Sequence, residues 1–482
     1  MAEPRVSRYA WVTMGVVLIG TFMVFLDTTI VNVALPQIGF DLHSGQGIEW
    51  IITGYLLAVG VSQPASGWLA DRFGRKKIYT LSLAAFAGGS LMSALAPNLQ
   101  ALVGFRVFQG LGGGAMMPVG LAMIYELFPP TRRGTALGIW GIAAMAAPTV
   151  GPAAGGYIVT AFGWRWLFLL NVPIGAVGIV AALRLLRASA GFHEERPFDG
   201  VGWGLGTAGL LLLLLAFSEA DSWGWSSAAM IGSIAGGLAL LALFVRRELR
   251  TDDPLIDVRM FAVPVFSLTM ILVALITTIQ FGRLVFVPID LETVRRYSAF
   301  VTGLILTPSA IGTALTMPLG GKLADLVGAR TPVLAGVVIL TLAAWFLGHL
   351  RAGSSVTWII LVLVIQGAGT GLALMPNTVT AMNALPARLV AQGSAVRAVN
   401  RQIAGSLGTA VLASIVAARI GTVSAGRAVP PAAGQAAYNV VYLIGFGAGV
   451  LAIVLAIFLP GRARMRELQR QRSEEFVAPA EA

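Results

Sequence analysis

The amino-acid sequence predicts an all-α polytopic membrane protein, and three observations support this fold class. Of its 482 residues, 57% are hydrophobic and only 11% are charged, and the mean hydropathy is +0.81. An ordinary soluble domain carries about a quarter charged residues, so a soluble enzyme is excluded. The chain has 58 Gly, and small residues let membrane helices pack closely. The sequence lacks the dyad alternation of β-barrel strands.

Apolar runs between polar, proline or glycine breaks predict fourteen membrane spans, each close to the ~20 residues that cross a bilayer. The predicted spans are 10–35, 48–70, 78–96, 100–126, 135–160, 165–187, 200–218, 227–246, 263–287, 299–324, 331–350, 355–382, 391–420 and 438–460. The first span runs into a break at Pro36 without a small-residue cleavage pattern. We therefore expect it to remain in the mature protein.

An internal repeat divides the chain. Gly67-Trp-Leu-Ala-Asp71-Arg-Phe-Gly74-Arg75 recurs as Gly321-Lys-Leu-Ala-Asp325-Leu-Val-Gly328-Ala-Arg330, and Gln109-Gly110 recurs as Gln366-Gly367. Repeated halves in a transporter usually flank a site near the bilayer midplane. We expect an N-terminal six-helix bundle at 1–190, two linker transmembrane helices at 191–262, a C-terminal six-helix bundle at 263–460 and a basic cytoplasmic tail at 461–482.

The basic residues predict the orientation of the chain. There are 33 Lys and Arg against 22 Asp and Glu, a formal net charge of +11. A nucleic-acid partner would need basic residues clustered on one surface, but here they are scattered. Most fall at alternate turns, which is the positive-inside signature. The sequence therefore predicts a multi-pass protein of the plasma or inner membrane, in contact with the lipid bilayer, with both termini cytoplasmic.

The sequence offers no catalytic constellation. It has 3 His and 0 Cys, and it lacks a Gly-x-Ser-x-Gly nucleophile motif. A dinucleotide-like glycine pattern at 204–209 follows no predicted strand and leads into a leucine run, so we interpret it as helix packing. We expect no enzyme activity, no catalytic residue, no cofactor and no metal.

Asp27 is an acid inside the first predicted span, and Arg106 is a base inside the fourth. At 1.5 Å per residue they lie about 13 Å and about 12 Å from the predicted outer surface. Charged residues in spans are rare and usually line a water-filled path or pair with a partner. If the two helices are neighbours, a charge-assisted contact would let Arg106 influence proton exchange at Asp27. A static buried salt bridge that holds the bundle together is the alternative.

Four stretches resemble the major facilitator superfamily, and within it the 14-spanner drug:proton antiporter family. They are Leu26-Asp27-Thr28-Thr29, Gly67 to Lys77, Arg106-Val-Phe-Gln109-Gly110 and Gly151-Pro152-Ala-Ala-Gly155-Gly156. The resemblance implies a major facilitator fold of two pseudo-symmetric six-helix bundles plus two extra helices. It also implies transmembrane transport, multidrug efflux and antibiotic resistance.

The loop after the second span and its repeat are predicted to form a conformational switch. Asp71 ends the span, cations follow it, and Glu126 closes the fourth span on the same face. The resemblance implies that a short ionic latch there holds one cytoplasmic arrangement. The switch residues are Gly67, Asp71, Arg72, Arg75, Glu126 and Asp325. The alternative is a topology signal that anchors the loop, since surface ion pairs are individually weak. Fewer cations surround Asp325, so we expect a weaker latch there.

The fifth predicted span carries Gly151, Pro152, Gly155 and Gly156. Together these residues remove side-chain bulk and one backbone donor, which permits close helix approach and a bend. In the family that the chain resembles, this element marks antiporters.

Polar residues in the ninth span indicate a second functional face, because an arginine in a span is costly unless it lines a cavity or pairs. Asp290 and Glu292 could serve a cationic substrate or a second proton. Alternatively, both reach outer water beside neighbouring arginines. The candidate substrate-binding residues, each also consistent with helix packing, are Phe25, Asn32, Gln109, Gln280, Arg283, Asp290, Gln366 and Asn377.

These features predict a proton-coupled multidrug efflux transporter that exports amphipathic or cationic compounds by alternating access. Its partners would be small amphipathic substrates and protons. One alternative is proton-coupled export of an endogenous lipid or metabolite. Another, of a different class, is a non-transporting membrane sensor or scaffold, which would not need Asp27 and Arg106. The sequence leaves open whether a periplasmic adaptor docks outside.

Overall fold

The computed structural model of the chain describes residues 6–42, 48, 50–129, 132–187, 199–251, 254–386, 389–424, 431–461 and 467. These residues form sixteen α-helices and a short 3-10 helix, Val258–Ala262. The α-helices are α1 Arg8–Asp41, α2 Trp50–Phe73, α3 Arg75–Ala94, α4 Leu99–Leu127, α5 Arg133–Phe162, α6 Arg165–Leu169, α7 Asn171–Leu185, α8 Gly200–Ser218, α9 Ala220–Trp223, α10 Ala228–Glu248, α11 Pro264–Thr293, α12 Ala299–Val327, α13 Arg330–Leu347, α14 Val356–Asn383, α15 Val390–Ser424 and α16 Pro431–Ala456.

Short polar side chains begin many of these helices. The first backbone N–H groups of a helix lack intrahelical partners, and an oxygen at the N-cap satisfies one of them. The capping side chains are those of Ser7, Asn98, Asp199, Ser227, Ser298 and Ser355. These residues lie where the apolar pattern of each span begins, so the predicted starts of these spans lie close to the observed starts of the helices.

The predicted break at Pro36 is wrong, because α1 continues through it to Asp41. Helix α11 likewise continues through Pro288 to Thr293. Proline removes one N–H donor but keeps a helical φ, so a long helix can continue across it. Conversely, the sixth predicted span is divided at Leu170 into α6 and α7.

Eleven helices in the described ranges are long and apolar enough to cross a membrane. Three others, α2, α3 and α5, have 24, 20 and 30 residues and pack against those eleven. The count of fourteen spans therefore stays a prediction.

Two sets of helices form the body of the molecule. In the first set α2 and α3 pack on α4, and α1 packs on α5; in the second, α12 and α13 pack on α14, and α11 packs on α15 and α16. The sets meet where α5 packs on α12 and where α15 packs on α2 and α4. The interface between the two sets is therefore built from α2, α4 and α5 on one side and α12, α14 and α15 on the other.

Helices α8 and α10 form a hairpin at the side of this body. Only 17% of the apolar stretch of α10 is buried inside the molecule, against 78% of that of α4, so α10 presents most of its surface outward. Helix α8 has closer neighbours, because it packs on both α2 and α15. The hairpin therefore covers one edge of the interface between the two sets.

Replacing Asp199 with alanine is expected to destabilise the start of α8. Asp199 accepts hydrogen bonds from the Gly202 backbone N–H at 2.9 Å and from Arg247 Nε at 2.9 Å. The Arg247 hydrogen bond is the main cause that lowers the pKa of Asp199. Its stabilisation is thus present above the ordinary pKa of aspartate and is lost as the pH falls through the lowered pKa. In thermal unfolding the variant should lose about 1 kcal/mol at neutral pH, as for a lost N-cap, and the difference should shrink on acidification.

Glu219, which follows the other end of α8, supplies the control for that measurement. Glu219→Gln should have the same thermal stability as the native chain, both at neutral pH and after acidification. A neutral-pH stability of Asp199→Ala equal to the native one would contradict the prediction.

Candidate functional site

Asp27 of α1 and Arg106 of α4 form an ion pair in the interior of the first helix set. Arg106 Nη1 lies 2.6 Å from Asp27 Oδ2, and the two side chains are 0% and 1% exposed. This confirms the contact expected from their matched depths. Because both charges are out of water, each depends on the other and on its remaining hydrogen bonds.

Two amides complete the hydrogen bonding of Asp27. Gln109 Nε2 and Asn171 Nδ2 donate to Asp27 Oδ1 at 2.9 Å and 3.0 Å. Asn171, the first residue of α7, also donates to Ser90 Oγ of α3. We call Asp27, Arg106, Gln109 and Asn171 the ionic centre. Both carboxylate oxygens of Asp27 therefore accept hydrogen bonds, Oδ2 from Arg106 and Oδ1 from the two amides.

The guanidinium of Arg106 is held from several sides. It donates from Nη1 to Gln109 Oε1 at 2.8 Å and from Nε to the Ile51 carbonyl at 3.3 Å. It also lies 4.0 Å from the centroid of the Tyr55 ring. An arginine over an aromatic face gains a cation–π attraction. Arg106 is thus fixed in position by α2 and α4 as well as by the acid.

Close packing of the helix backbones places the side chains of Arg106 and Gln109 against Asp27. A Cβ at Gly89 of α3 would lie 2.7 Å from the Gln109 Cα, and one at Gly110 would lie 2.5 Å from the Tyr55 carbonyl oxygen. Glycine at both positions therefore lets α2 and α3 pack tightly against the turn of α4 that carries Arg106 and Gln109.

The predicted antiporter element packs directly beside the ionic centre. Added Cβ atoms at Gly151 and Gly155 of α5 would meet Thr29 and Ile30 of α1, the latter at 3.3 Å. These two residues follow Asp27 by less than one turn. Pro152 and Gly156 lie in the same helix, although the Pro152 side chain falls outside the described part. Helix α5 thus touches α1 next to its acid.

The predicted switch residues of the first half contact several different groups. Arg75 pairs with Glu126, linking the start of α3 to the end of α4. Arg72 lies over the rings of Trp68 and Phe73. Asp71, near the end of α2, is 7% exposed. Gly67 lies one helical turn earlier and is also buried. Among the described contacts of these residues, the ion pair of Arg75 with Glu126 joins α3 to α4, and the latch as a whole stays a prediction.

Asp325, the repeat of Asp71, makes a contact between the two helix sets. Its carboxylate accepts the Gly134 and Thr135 backbone N–H groups at 3.3 Å and 3.2 Å. These residues open α5, so a negative charge lies at a helix N-terminus, where it is favoured. The sequence predicted a weaker latch at Asp325 because few cations lie near it in the sequence. The groups that bind its carboxylate are instead backbone N–H donors, which a sequence pattern does not reveal.

Glycines confirm the repeat and permit this contact. Gly74 and Gly328 occupy equivalent turns with φ of 84° and 90°, values that favour glycine. Gly321 of α12 and Gly134 of α5 touch through their backbones, and a Cβ on either would collide with the other's carbonyl. Further along, Arg133 Nη1 donates to Asn383 Oδ1 at 3.0 Å, and the Tyr125 hydroxyl donates to the Thr378 carbonyl at 3.2 Å. We call the region in which these contacts join α4 and α5 to α12 and α14 the closed end. It is the predicted cytoplasmic end.

The second half replaces the acid of the ionic centre with a base. Asp27 is the twentieth residue of α1, and Arg283 is the twentieth of α11. Arg283 Nη1 donates to Ser309 Oγ at 2.6 Å. It also lines, with Gln366, a cavity of about 10 Å³, which is room for roughly one water. The two halves therefore share a scaffold but carry opposite charges at matching positions.

Asp290 does not reach outer water, so that alternative is wrong for this residue. It is 2% exposed, and its Oδ2 accepts Gln435 Nε2 at 3.1 Å. Its Oδ1 has no hydrogen-bond partner among the described residues. Glu292 is exposed, as that alternative expected.

The remaining described pocket candidates each have a local contact or a buried position of their own. Asn377 donates to the Thr269 carbonyl at 3.0 Å, Phe25 is half-buried in the apolar cluster around α1, and Gln280 is buried in α11. The Asn32 side chain lies outside the described part. Of the described candidates, Gln109 belongs to the ionic centre and Gln366 lies beside Arg283 in the small cavity.

Comparisons with known proteins agree with this architecture. The profile of the Major Facilitator Superfamily matches residues 17–409. The multidrug resistance protein B homolog of Mycobacterium tuberculosis (strain ATCC 25618 / H37Rv) is 35% identical over 418 residues, 84% of this chain and 76% of that protein. The tetracenomycin C resistance and export protein of Streptomyces glaucescens is 33% identical over 414 residues, 86% of this chain and 77% of that protein. The chain belongs to the Major Facilitator Superfamily.

Solved structures share the fold of this superfamily member. The human organic anion transporter MFSD10 (TETRAN) has a TM-score of 0.65 at 16% identity, covering 94% of this chain and 100% of that one. The proton:xylose symporter XylE has a TM-score of 0.66 at 14% identity, covering 95% and 97%. At these identities the likeness concerns the fold alone. The chain is thus a multi-pass helical membrane protein of a transporter family.

The sequence patterns described above did not indicate Asn171 of the ionic centre or Tyr55, whose ring contacts Arg106. An amide that opens a helix inside an apolar run was an available signal for Asn171, because a buried amide needs partners. The position of Tyr55 over Arg106 depends on how α2 packs against α4, which no local pattern reports.

Proposed function

We propose that this chain is a proton-coupled exporter of amphipathic compounds that works by alternating access, with Asp27 as the proton-exchanging acid. The observation that carries the proposal is the ionic centre, where an acid and a base pair away from water. Such a pair is costly in lipid and is usually functional. We further propose the 14-span drug:proton antiporter subfamily, a plasma or inner membrane location and cytoplasmic termini.

The relatives support the export direction. One of them is named for multidrug resistance and the other for tetracenomycin C resistance and export. The packing of Gly151 and Gly155 against α1 beside Asp27 supports a mechanical role for the antiporter element.

The proposed cycle begins from the arrangement described above, closed at the predicted cytoplasmic end. A proton from outside neutralises Asp27, which removes the attraction that holds Arg106 and loosens α1 against α4. Helix α5 touches α1 at Gly151 and Gly155, and its first residues bind Asp325 of α12. Loosening at Asp27 is thereby transmitted through α5 to the closed end, which opens to the cytoplasm. There the acid loses its proton, and substrate enters.

Two contacts would set the balance between the two states of this cycle. Asp325 on the N-terminus of α5 favours the closed end directly, since it joins the two helix sets. Arg75 with Glu126 holds α3 to α4 within the first set, which we propose moves as one six-helix bundle against the second. Local contacts of this kind shift a two-state equilibrium only by the difference in their strength between the states.

The energy available to the cycle depends on the charge of its cargo. One pH unit supplies about 1.4 kcal/mol per proton, and one charge moved across 100 mV supplies about 2.3 kcal/mol. Exchange of one proton for a monovalent cation is electroneutral and uses the pH term alone. A neutral or anionic cargo makes the exchange electrogenic, so it uses both terms.

Purified protein in liposomes is expected to move fluorescent amphipathic dyes against their gradient when a pH gradient is imposed. A protonophore that collapses the gradient should stop the flux, because only proton return drives it. Dye distribution across the vesicle membrane measures the effect, with protein-free liposomes as the control. A chain that moves no solute under any imposed gradient would be a sensor or scaffold instead.

A further inference from the structure

Two arginines at the interface between the helix sets are not used by the proposed proton cycle. Arg397 and Arg401 lie one turn apart on α15, about 10 Å and about 16 Å along the helix from its first residue, Val390. Helix α15 packs on α2 and α4 of the other set. Both arginines are therefore inside a span and beside the surface along which the two sets separate.

Arg397 is buried without compensation. It is 8% exposed, and its Nε and Nη2 atoms have no hydrogen-bond partner among the described residues. The groups that act on it electrostatically are Arg401 and the Tyr125 hydroxyl of α4. A buried guanidinium normally has its donors satisfied, so this one has unused capacity to bind an acceptor.

Arg401 adds a second cation one turn further along. It is half-buried, and none of the described side chains forms a salt bridge with it. Neither arginine has a described carboxylate among its electrostatic neighbours. Two cations one turn apart repel each other, and an anion bound between them would relieve both the repulsion and the unmet hydrogen bonding.

The location connects this pair to the transport path. Tyr125, the neighbour of Arg397, donates across the interface to the Thr378 carbonyl, so the pair lies at the closed end. When that end opens, the two guanidinium groups lie beside the path that a compound from the cytoplasm would take. Asp290, the acid expected to attract cationic cargo, belongs to α11 and is bound to Gln435 of α16 instead.

We infer that Arg397 and Arg401 bind the acidic group of the cargo, so that the exported compounds are amphipathic organic anions such as aromatic carboxylates and ionised phenols. This inference rests on the proposed export function and names its substrate class. A planar guanidinium suits a carboxylate or phenolate because it offers several donors in a fixed fork.

A matched pair of dyes tests the inference. Fluorescein and rhodamine 123 share a xanthene core but carry opposite charge at neutral pH. Fluorescence anisotropy with purified protein at constant pH should show fluorescein binding at least about tenfold more tightly, a factor that corresponds to ~1.4 kcal/mol. Arg401→Gln and Arg397→Gln should each remove most of that preference, whereas Arg401→Lys should retain part of it. Arg419→Gln, at an exposed position near the other end of α15, should leave both affinities unchanged.

Several outcomes would overturn the inference. These are equal binding of the two dyes, binding of neither dye, and a fluorescein affinity that survives both glutamine substitutions. Each variant is first checked for a monodisperse elution profile, and Arg401→Lys keeps the charge if glutamine disturbs folding. Gradient-driven flux of rhodamine 123 that is indifferent to Arg401→Gln would reject the anionic class while leaving proton-coupled export intact. Absence of flux for every dye would reject export itself.

Discussion

Asp27→Asn is expected to lower pH-gradient-driven efflux by at least about tenfold, because an amide cannot carry the proton that an intramembrane acid exchanges. Asparagine has nearly the size of aspartate and still accepts a hydrogen bond at its oxygen from Gln109 or Asn171. The geometry of the ionic centre should therefore change less than its chemistry. Dye flux in liposomes with an imposed pH gradient measures the loss. Exchange of labelled dye without a gradient should persist, because that exchange needs no net proton movement.

The variant leaves Arg106 buried without its counter-charge, and breaking a buried pair in this way costs about 3–5 kcal/mol. The double variant Asp27→Asn with Arg106→Gln removes both charges and should recover thermal stability. It should not recover gradient-driven flux, since no titratable acid is restored. This separates loss of coupling from loss of folding.

Asp41 offers a matched control on the same helix. It is the last residue of α1 and accepts a hydrogen bond from Trp164 Nε1 at 3.1 Å. Asp41→Asn should retain gradient-driven flux. If Asp27→Asn transported like the native chain under a pH gradient, Asp27 would not be the coupling acid, and the ionic centre would be a structural salt bridge.

Gly321→Val is expected to prevent the closed end from forming. Any side chain at Gly321 would overlap the Gly134 carbonyl oxygen, and both atoms belong to the backbone of packed helices. Overpacking costs roughly 1–3 kcal/mol, which shifts a two-state equilibrium by roughly five- to 150-fold. The transporter should therefore favour the state that is open at this end, and net export should fall by a similar factor.

Cysteine labelling can follow this shift directly, because the chain has 0 Cys and an introduced thiol is unique. Thr378→Cys places the thiol at a buried position of the closed end. A thiol reagent supplied from the predicted cytoplasmic side should label it faster in the Gly321→Val background. Gly303→Val on the same helix should not change the rate, since a Cβ at Gly303 meets nothing within 4 Å. Unchanged labelling in both backgrounds would mean that the Gly134–Gly321 contact does not control opening.

The sequence indicated which residues of the ionic centre carry charge, because a charged side chain in a long apolar run has a high energetic cost wherever the run is placed. That argument is local, and it identified Asp27 and Arg106 without knowledge of their distance. It did not identify Asn171, because that side chain is uncharged and its contact with Asp27 joins residues 144 apart in sequence. It also treated Arg283 as a cavity residue without revealing that it occupies the place of Asp27.

The sequence by itself determined that the protein is a helical membrane protein with a repeated motif, since apolar run length and charge distribution decide what a bilayer accepts. It also determined where most helices begin. Only the tertiary structure decided that Asp325 binds the start of α5, that Gly134 contacts Gly321, and that Arg397 and Arg401 lie uncompensated at the interface. These are contacts between distant segments, several through backbone atoms common to every residue type, so their specificity arises from helix packing.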